Sequence, residues 1–141
     1  MTRFLLILSA ALPLTAGLVA CDPTTPNGPI DPPEECPADD GLARVLDAEV
    51  DGDTLTATVG YSGCSEAEAI TPCWDGSFME SFPVQIALDL STGPAQMCQA
   101  YFEHTAEIDL VPLRRAYEDT YGEGPGSMVI NLDGMSVLYA F

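Results

Sequence analysis

The sequence predicts a mainly β domain, an antiparallel β-sandwich or barrel of about seven strands with one short helix. Three observations carry this. Apolar and polar residues alternate over short runs, most clearly at Val84, Ile86, Leu88 and Leu90, which is the period of a half-buried strand. Turn dipeptides fall between the runs, at Asp51-Gly52, Asp75-Gly76, Gly93-Pro94 and Asp133-Gly134. Good helical spacing occurs only over residues 112–121.

The domain is expected to cover residues 42–141, and about 100 residues can bury a sizeable core. Val45, Leu46, Ala48 and Val50 lead into Asp51-Gly52-Asp53, after which Leu55, Ala57 and Val59 alternate with Thr54, Thr56 and Thr58. This reads as a hairpin around an Asp-Gly turn. The same stretch imitates a calcium loop, because Asp47, Glu49, Asp51, Gly52 and Asp53 are spaced like the opening of an EF-hand. The closing bidentate acid is missing, since Thr58 occupies its place.

Gly60 to Cys64 end the second strand, and the glycines around Ser62 lack the spacing of a nucleophile elbow. Residues 65–69 are a polar loop or a single helical turn, and residues 71–78 a short strand running into the Asp75-Gly76 turn. Trp74 is expected in the core or at its edge. The strand at 84–90 stops at Ser91-Thr92-Gly93-Pro94. In the next strand, residues 98–110, Tyr101, Glu103, Thr105, Glu107 and Asp109 share one face. Phe102, His104, Ala106 and Ile108 share the other, which makes His104 a core or rim residue rather than a catalyst.

The helix is expected over residues 112–121, with Asp109 as its cap, Pro112 in the first turn and Gly122 as its stop. Leu113, Tyr117 and Tyr121 line one face. Arg114 with Glu118 and Arg115 with Asp119 are i,i+4 pairs in the weaker orientation, expected to be solvated. Residues 122–126 form a glycine-rich connection without the Gly-Lys-Ser/Thr of a phosphate loop. Met128, Ile130 and Leu132, the Asp133-Gly134 turn, and Val137, Tyr139 and Phe141 form a final hairpin.

Upstream of the domain, residues 1–20 carry Arg3, an apolar run and small residues, the layout of a secretory signal. Leu18-Val19-Ala20-Cys21 resembles the lipobox of bacterial lipoproteins. The resemblance implies cleavage before Cys21, a lipidated Cys21 thiol and a domain exported into the bacterial cell envelope. It does not choose between inner and outer membranes. Residues 21–41 then hold the lipidated Cys21 and a proline-rich tether. Its prolines favour extended polyproline II and its composition predicts disorder. It reads as a spacer, since the spacing of its prolines is too irregular for an SH3-type ligand.

With Arg3 removed, three arginines stand against 22 acidic residues, a net charge of −19 without a single lysine. Nucleic acid requires a basic footprint and is excluded as a partner. Adsorption on anionic lipid is excluded too, so the membrane contact is the lipid on Cys21. The other partner expected is a basic envelope protein, and the chain is expected to be monomeric. Setting Cys21 aside leaves Cys36, Cys64, Cys73 and Cys98, an even number that suggests two disulfides in an exported domain. Cys64 with Cys98 and Cys36 with Cys73 are favoured because they close long loops. Cys36 with Cys64 and Cys73 with Cys98, or a local bridge between Cys64 and Cys73, remain open. With one histidine and no CxxC, zinc is not expected.

The domain also resembles a group of small, uncharacterised bacterial lipoproteins. The residues that carry this are Gly63-Cys64, Cys73-Trp74-Asp75-Gly76-Ser77-Phe78, Phe82-Pro83-Val84, Cys98, Asp109-Leu110-Val111-Pro112-Leu113, Tyr117 and Val129-Ile130-Asn131-Leu132 with Gly134. The group commonly has Lys and His shortly after the first of these cysteines; here Ser65-Glu66-Ala67 stands there, so no role of that His carries over. The resemblance implies the fold and the lipoprotein character, and no activity. The expected function is a membrane-anchored, non-catalytic binding or structural module without a cofactor or metal. The alternatives are a calcium-dependent adhesion module and a hydrolase using His104.

Overall fold

The computed structural model describes residues 43–141. Cys21, Cys36, the leader, the tether and residue 42 lie outside the described residues.

The described chain forms eight strands and one helix: β1 (Arg44–Asp51), β2 (Thr54–Gly63), β3 (Thr71–Cys73), β4 (Val84–Ala87), β5 (Asp89–Ser91), β6 (Ala100–Asp109), α1 (Val111–Tyr121), β7 (Ser127–Leu132) and β8 (Met135–Ala140). Two three-stranded sheets, β1-β2-β6 and β4-β7-β8, and a short β3-β5 pair make up the expected β-sandwich. Leu55, Ala57 and Val59 of β2 and Ile108 of β6 share one core with Ile86, Met128, Ile130, Leu132 and Tyr139 of the other sheet. Leu113 closes that core from α1.

The eighth strand arises by division. The run at 84–90 keeps its alternation, and Ile86, Leu88 and Leu90 are all buried. Its backbone nevertheless changes partner at Leu88, whose N–H donates to the Asn131 carbonyl at 2.9 Å. β4 pairs with β7, and β5 with β3. The β4–β7 pairing is parallel, the one departure from the antiparallel arrangement expected.

β1 carries a bulge between Val45 and Asp47. An extra residue resets which side chains face inward. Val45 is buried before the bulge, and Asp47, Glu49 and Asp51 all face outward after it. The β7–β8 turn has positive φ at Asp133 (40°) and Gly134 (82°), as a two-residue hairpin turn requires.

The N-cap position of α1 is Leu110, which makes no side-chain cap. Asp109, one residue earlier than a cap, still accepts the Val111 N–H at 2.9 Å. Gly122 ends the helix at φ 100°, its N–H on the Glu118 carbonyl. Aromatic rings join α1 to both flanks. Trp74 meets Phe78 at 5.1 Å, Phe78 meets Tyr117 at 6.3 Å, and Tyr117 meets Phe141 at 5.2 Å. Trp74 is buried as expected, and its ring N–H donates to the Ser77 carbonyl at 2.9 Å.

Cys64 and Cys98 form a disulfide that ties the end of β2 to the chain entering β6. Cys73 is disulfide-bonded as well. Because Cys64 and Cys98 bond to each other, the partner of Cys73 lies outside the described residues.

Candidate functional site

Two polar arrangements stand out. The first is built on Asp53, in the β1–β2 turn. Its carboxylate accepts two hydrogen bonds from Arg114 Nη1, at 2.8 and 2.7 Å, and one from the Tyr139 hydroxyl at 2.5 Å. Its backbone carbonyl accepts the Leu110 N–H at 2.8 Å. One residue thus ties a hairpin turn to α1, β8 and the exit of β6. Arg114 reaches Glu118 only at 4.0 Å, so its main partner is Asp53 rather than the helical neighbour expected from the sequence.

Tyr139 is fully buried. Burial first, then the hydrogen bond to the Asp53 carboxylate, pushes its phenol well above the ordinary value of 10.0. The Asp53 carboxylate already accepts three hydrogen bonds from two donors and the Tyr139 proton is already committed, so this is a clamp and not a reactive dyad. The raised phenol favours the folded state while Tyr139 is neutral. That contribution is complete below the unfolded pKa of about 10 and is lost as pH rises above it, at up to about 1.4 kcal/mol per pH unit. Urea unfolding between pH 9 and 11 should show a falling stability whose slope is shallower in Tyr139→Phe. An identical slope in both proteins would contradict this.

The second arrangement is the outer face of β1-β2-β6. Down its middle run Thr54, Thr56 and Thr58 of β2. Asp51, Glu49 and Asp47 of β1 stand directly opposite these threonines. On the other side Asp109, Glu107 and Thr105 of β6 oppose the same three, and Glu103 opposes Gly60. All six carboxylates are exposed. With neighbouring strands about 4.8 Å apart, the two acidic rows lie roughly 10 Å from each other across a floor of short side chains. No two carboxylates are direct cross-strand partners, which would be destabilising. Thr58 and Thr105 hydroxyls share a hydrogen bond of 3.1 Å. Arg44 opposite Gly60 is the one cation within this ladder. At the far end Tyr101 stands beside Glu103. Burial first, then the Glu103 charge, raises its phenol above the ordinary value.

His104 lies half-buried on the inner face of β6, in register with Val59. Its chain neighbours Glu103 and Thr105 point to the opposite face. Among the described residues, no hydrogen bond joins His104 to a carboxylate or a nucleophile. Ser62, exposed on the outer face of β2, pairs with Tyr101 and lies on the opposite side of the sheet from His104.

Asp47, Glu49 and Asp51 occupy alternate positions of an extended strand, about 7 Å apart. That geometry separates the acids that an EF-hand loop would gather. Among the described residues, no group of three or more His, Cys, Asp or Glu side chains converges to hold a metal ion. No described helix is long and apolar enough to cross a membrane.

The acidic residues of the outer face were visible in the sequence, but their assembly was not, because it depends on β2 lying between β1 and β6. The Asp53 clamp had no sequence signal; its partners lie 61 and 86 residues away. Compared with protein-family models, curated proteins and solved structures, the chain matches none of them.

Proposed function

We propose that this protein is a lipid-anchored envelope module whose β domain binds a basic partner on the outer face of β1-β2-β6. The observation that carries the reading is the pair of acidic rows flanking the threonine floor. A cationic segment laid along that floor would meet carboxylates on both sides, and the remaining negative charge of the chain would steer its approach. The anchor rests on the lipobox-like Leu18-Val19-Ala20-Cys21. A thiol carrying lipid is unavailable for a disulfide, so in the anchored chain Cys36 is the partner left for Cys73.

The test compares two variants of equal net charge. One carries Asp47→Asn, Glu49→Gln, Glu103→Gln and Glu107→Gln on the face. The other carries Glu66→Gln, Glu68→Gln, Glu80→Gln and Glu123→Gln, all exposed positions off the face. A decalysine probe at about 0.15 M salt, where screening acts over roughly 8 Å, should bind the face variant at least tenfold more weakly than the control. Equal losses would reduce the acidity to a solubility device and sink the reading. Cys21→Ser should move the protein out of the detergent phase; continued partitioning would refute the anchor alone.

A further inference from the structure

β6 is an outer strand of its sheet, paired on one side only, with β2. It runs for ten residues without a bulge, whereas β1 at the opposite edge is broken by one between Val45 and Asp47. A long, regular edge is a template on which another chain can add a strand.

The ladder fixes which backbone groups are on offer. Leu110 N–H donates to the Asp53 carbonyl at 2.8 Å. From there the register continues unshifted, from Thr54 opposite Asp109 to Gly63 opposite Ala100. Antiparallel pairs alternate between those that exchange hydrogen bonds and those that do not. Counted from Leu110, the even-numbered residues of β6 turn their N–H and C=O toward β2. Tyr101, Glu103, Thr105, Glu107 and Asp109 turn theirs away. Among the described residues, the outward backbone groups of Tyr101, Glu103, Thr105 and Glu107 have no hydrogen-bond partner. The inner side of this edge is unfinished as well. Ala106 and Ile108 are buried, but Phe102 and His104, toward the other end of β6, are only half-buried.

Charge selects what can join. The residues with outward backbone groups also carry the outer-face side chains, and three of them are acids: Glu103, Glu107 and Asp109. In a second copy paired antiparallel about Thr105, Glu103 would stand opposite Glu107, and like charges directly opposite are destabilising. A segment with Lys or Arg at every second residue instead sets cations opposite these acids while its backbone completes the ladder. Its intervening residues would cover Phe102 and His104. The Tyr101 side chain leans over Gly60, toward β2 and away from the edge. The threonine floor offers side chains alone, because β2 is paired on both sides.

We propose that the basic partner joins as a fourth strand, antiparallel to β6 along its free edge, with cations at alternate positions. The charge of that segment rests on the basic-partner reading above; the free edge does not.

The experiment uses the intact chain in detergent and three peptides of about nine residues, each alternating Lys and Thr, long enough to span the strand. One is unmodified, one is N-methylated at every Lys, and one at every Thr. In an antiparallel pair the residues opposite Glu103, Thr105 and Glu107 point their own N–H at β6; these are the lysines. Methylation at Lys should therefore weaken binding by about tenfold or more, through the lost hydrogen bonds, while methylation at Thr leaves it unchanged. The unmodified peptide should also slow amide exchange at Glu103, Thr105 and Glu107 but not at His104 or Ala106, which already face β2. If all three peptides bind alike, and less well to the four-residue face variant, strand addition is overturned and the basic-partner reading stands. If none responds to the face variant, both fall. Slowed exchange at the same three amides on raising protein concentration without peptide would overturn the proposal in favour of a second copy.

Discussion

Replacing Cys64 and Cys98 together by alanine is expected to lower the unfolding free energy by about 3–4 kcal/mol. The bond closes a loop with a sequence separation of 34. In the chain-entropy account, releasing such a loop returns that much freedom to the unfolded chain. The native state loses less, because the ten-residue ladder between β2 and β6 continues up to Gly63 opposite Ala100. For a domain of about 100 residues the loss corresponds to a fall in melting temperature of roughly 12–30 °C. Calorimetry on the double variant checks this better than reduction, which would also open the disulfide of Cys73. A change under about 1 kcal/mol would show that the unfolded chain already holds these two segments together.

Asp53→Ala should cost about 2–3 kcal/mol although Asp53 sits in a turn and is partly exposed. The cost does not come mainly from the ion pair with Arg114, whose side chain is 31% exposed and can turn to water. It comes from Tyr139, whose hydroxyl has no solvent to replace the lost acceptor, and a buried unsatisfied donor costs about 1–3 kcal/mol. Asp53→Asn keeps an acceptor for Tyr139 and should fall between wild type and Asp53→Ala. Chemical unfolding of the three proteins tests that order. If Asn proved as damaging as Ala, the charge on Arg114 rather than the Tyr139 hydroxyl would be the dominant element.

Local pattern explains what the sequence could disclose. The β1–β2 and β7–β8 hairpins were legible because Asp-Gly turns and alternation are both short-range signals. The two faces of β6 were legible for the same reason, down to His104 on the inner side. The favoured bridge between Cys64 and Cys98 is present. What stayed hidden depended on neighbours distant in the chain. Alternation over 84–90 continues smoothly while the hydrogen bonds pass from β7 to β3, and side-chain period carries no information about which backbone is adjacent. The bulge at Leu46 turns Val45 inward, although by simple alternation it would share the outer face with Asp47, Glu49 and Asp51. Helical spacing pairs Arg114 with Glu118 because it shows only partners on the same helix, whereas the closest carboxylate belongs to the β1–β2 turn.

The parallel pairing of β4 with β7 sets an order of events during synthesis. Val84 finds its partner at Met128, so β4 must wait while β5, β6 and α1 are all made. The first sheet can assemble as soon as β6 has emerged, but it then shows its apolar face to water until β7 arrives. β7 is the central strand of the second layer and comes almost last. The nascent chain therefore passes through a long interval in which half a sandwich stands uncovered. During that interval the face that Met128, Ile130 and Leu132 later cover is the surface through which unfinished copies would associate.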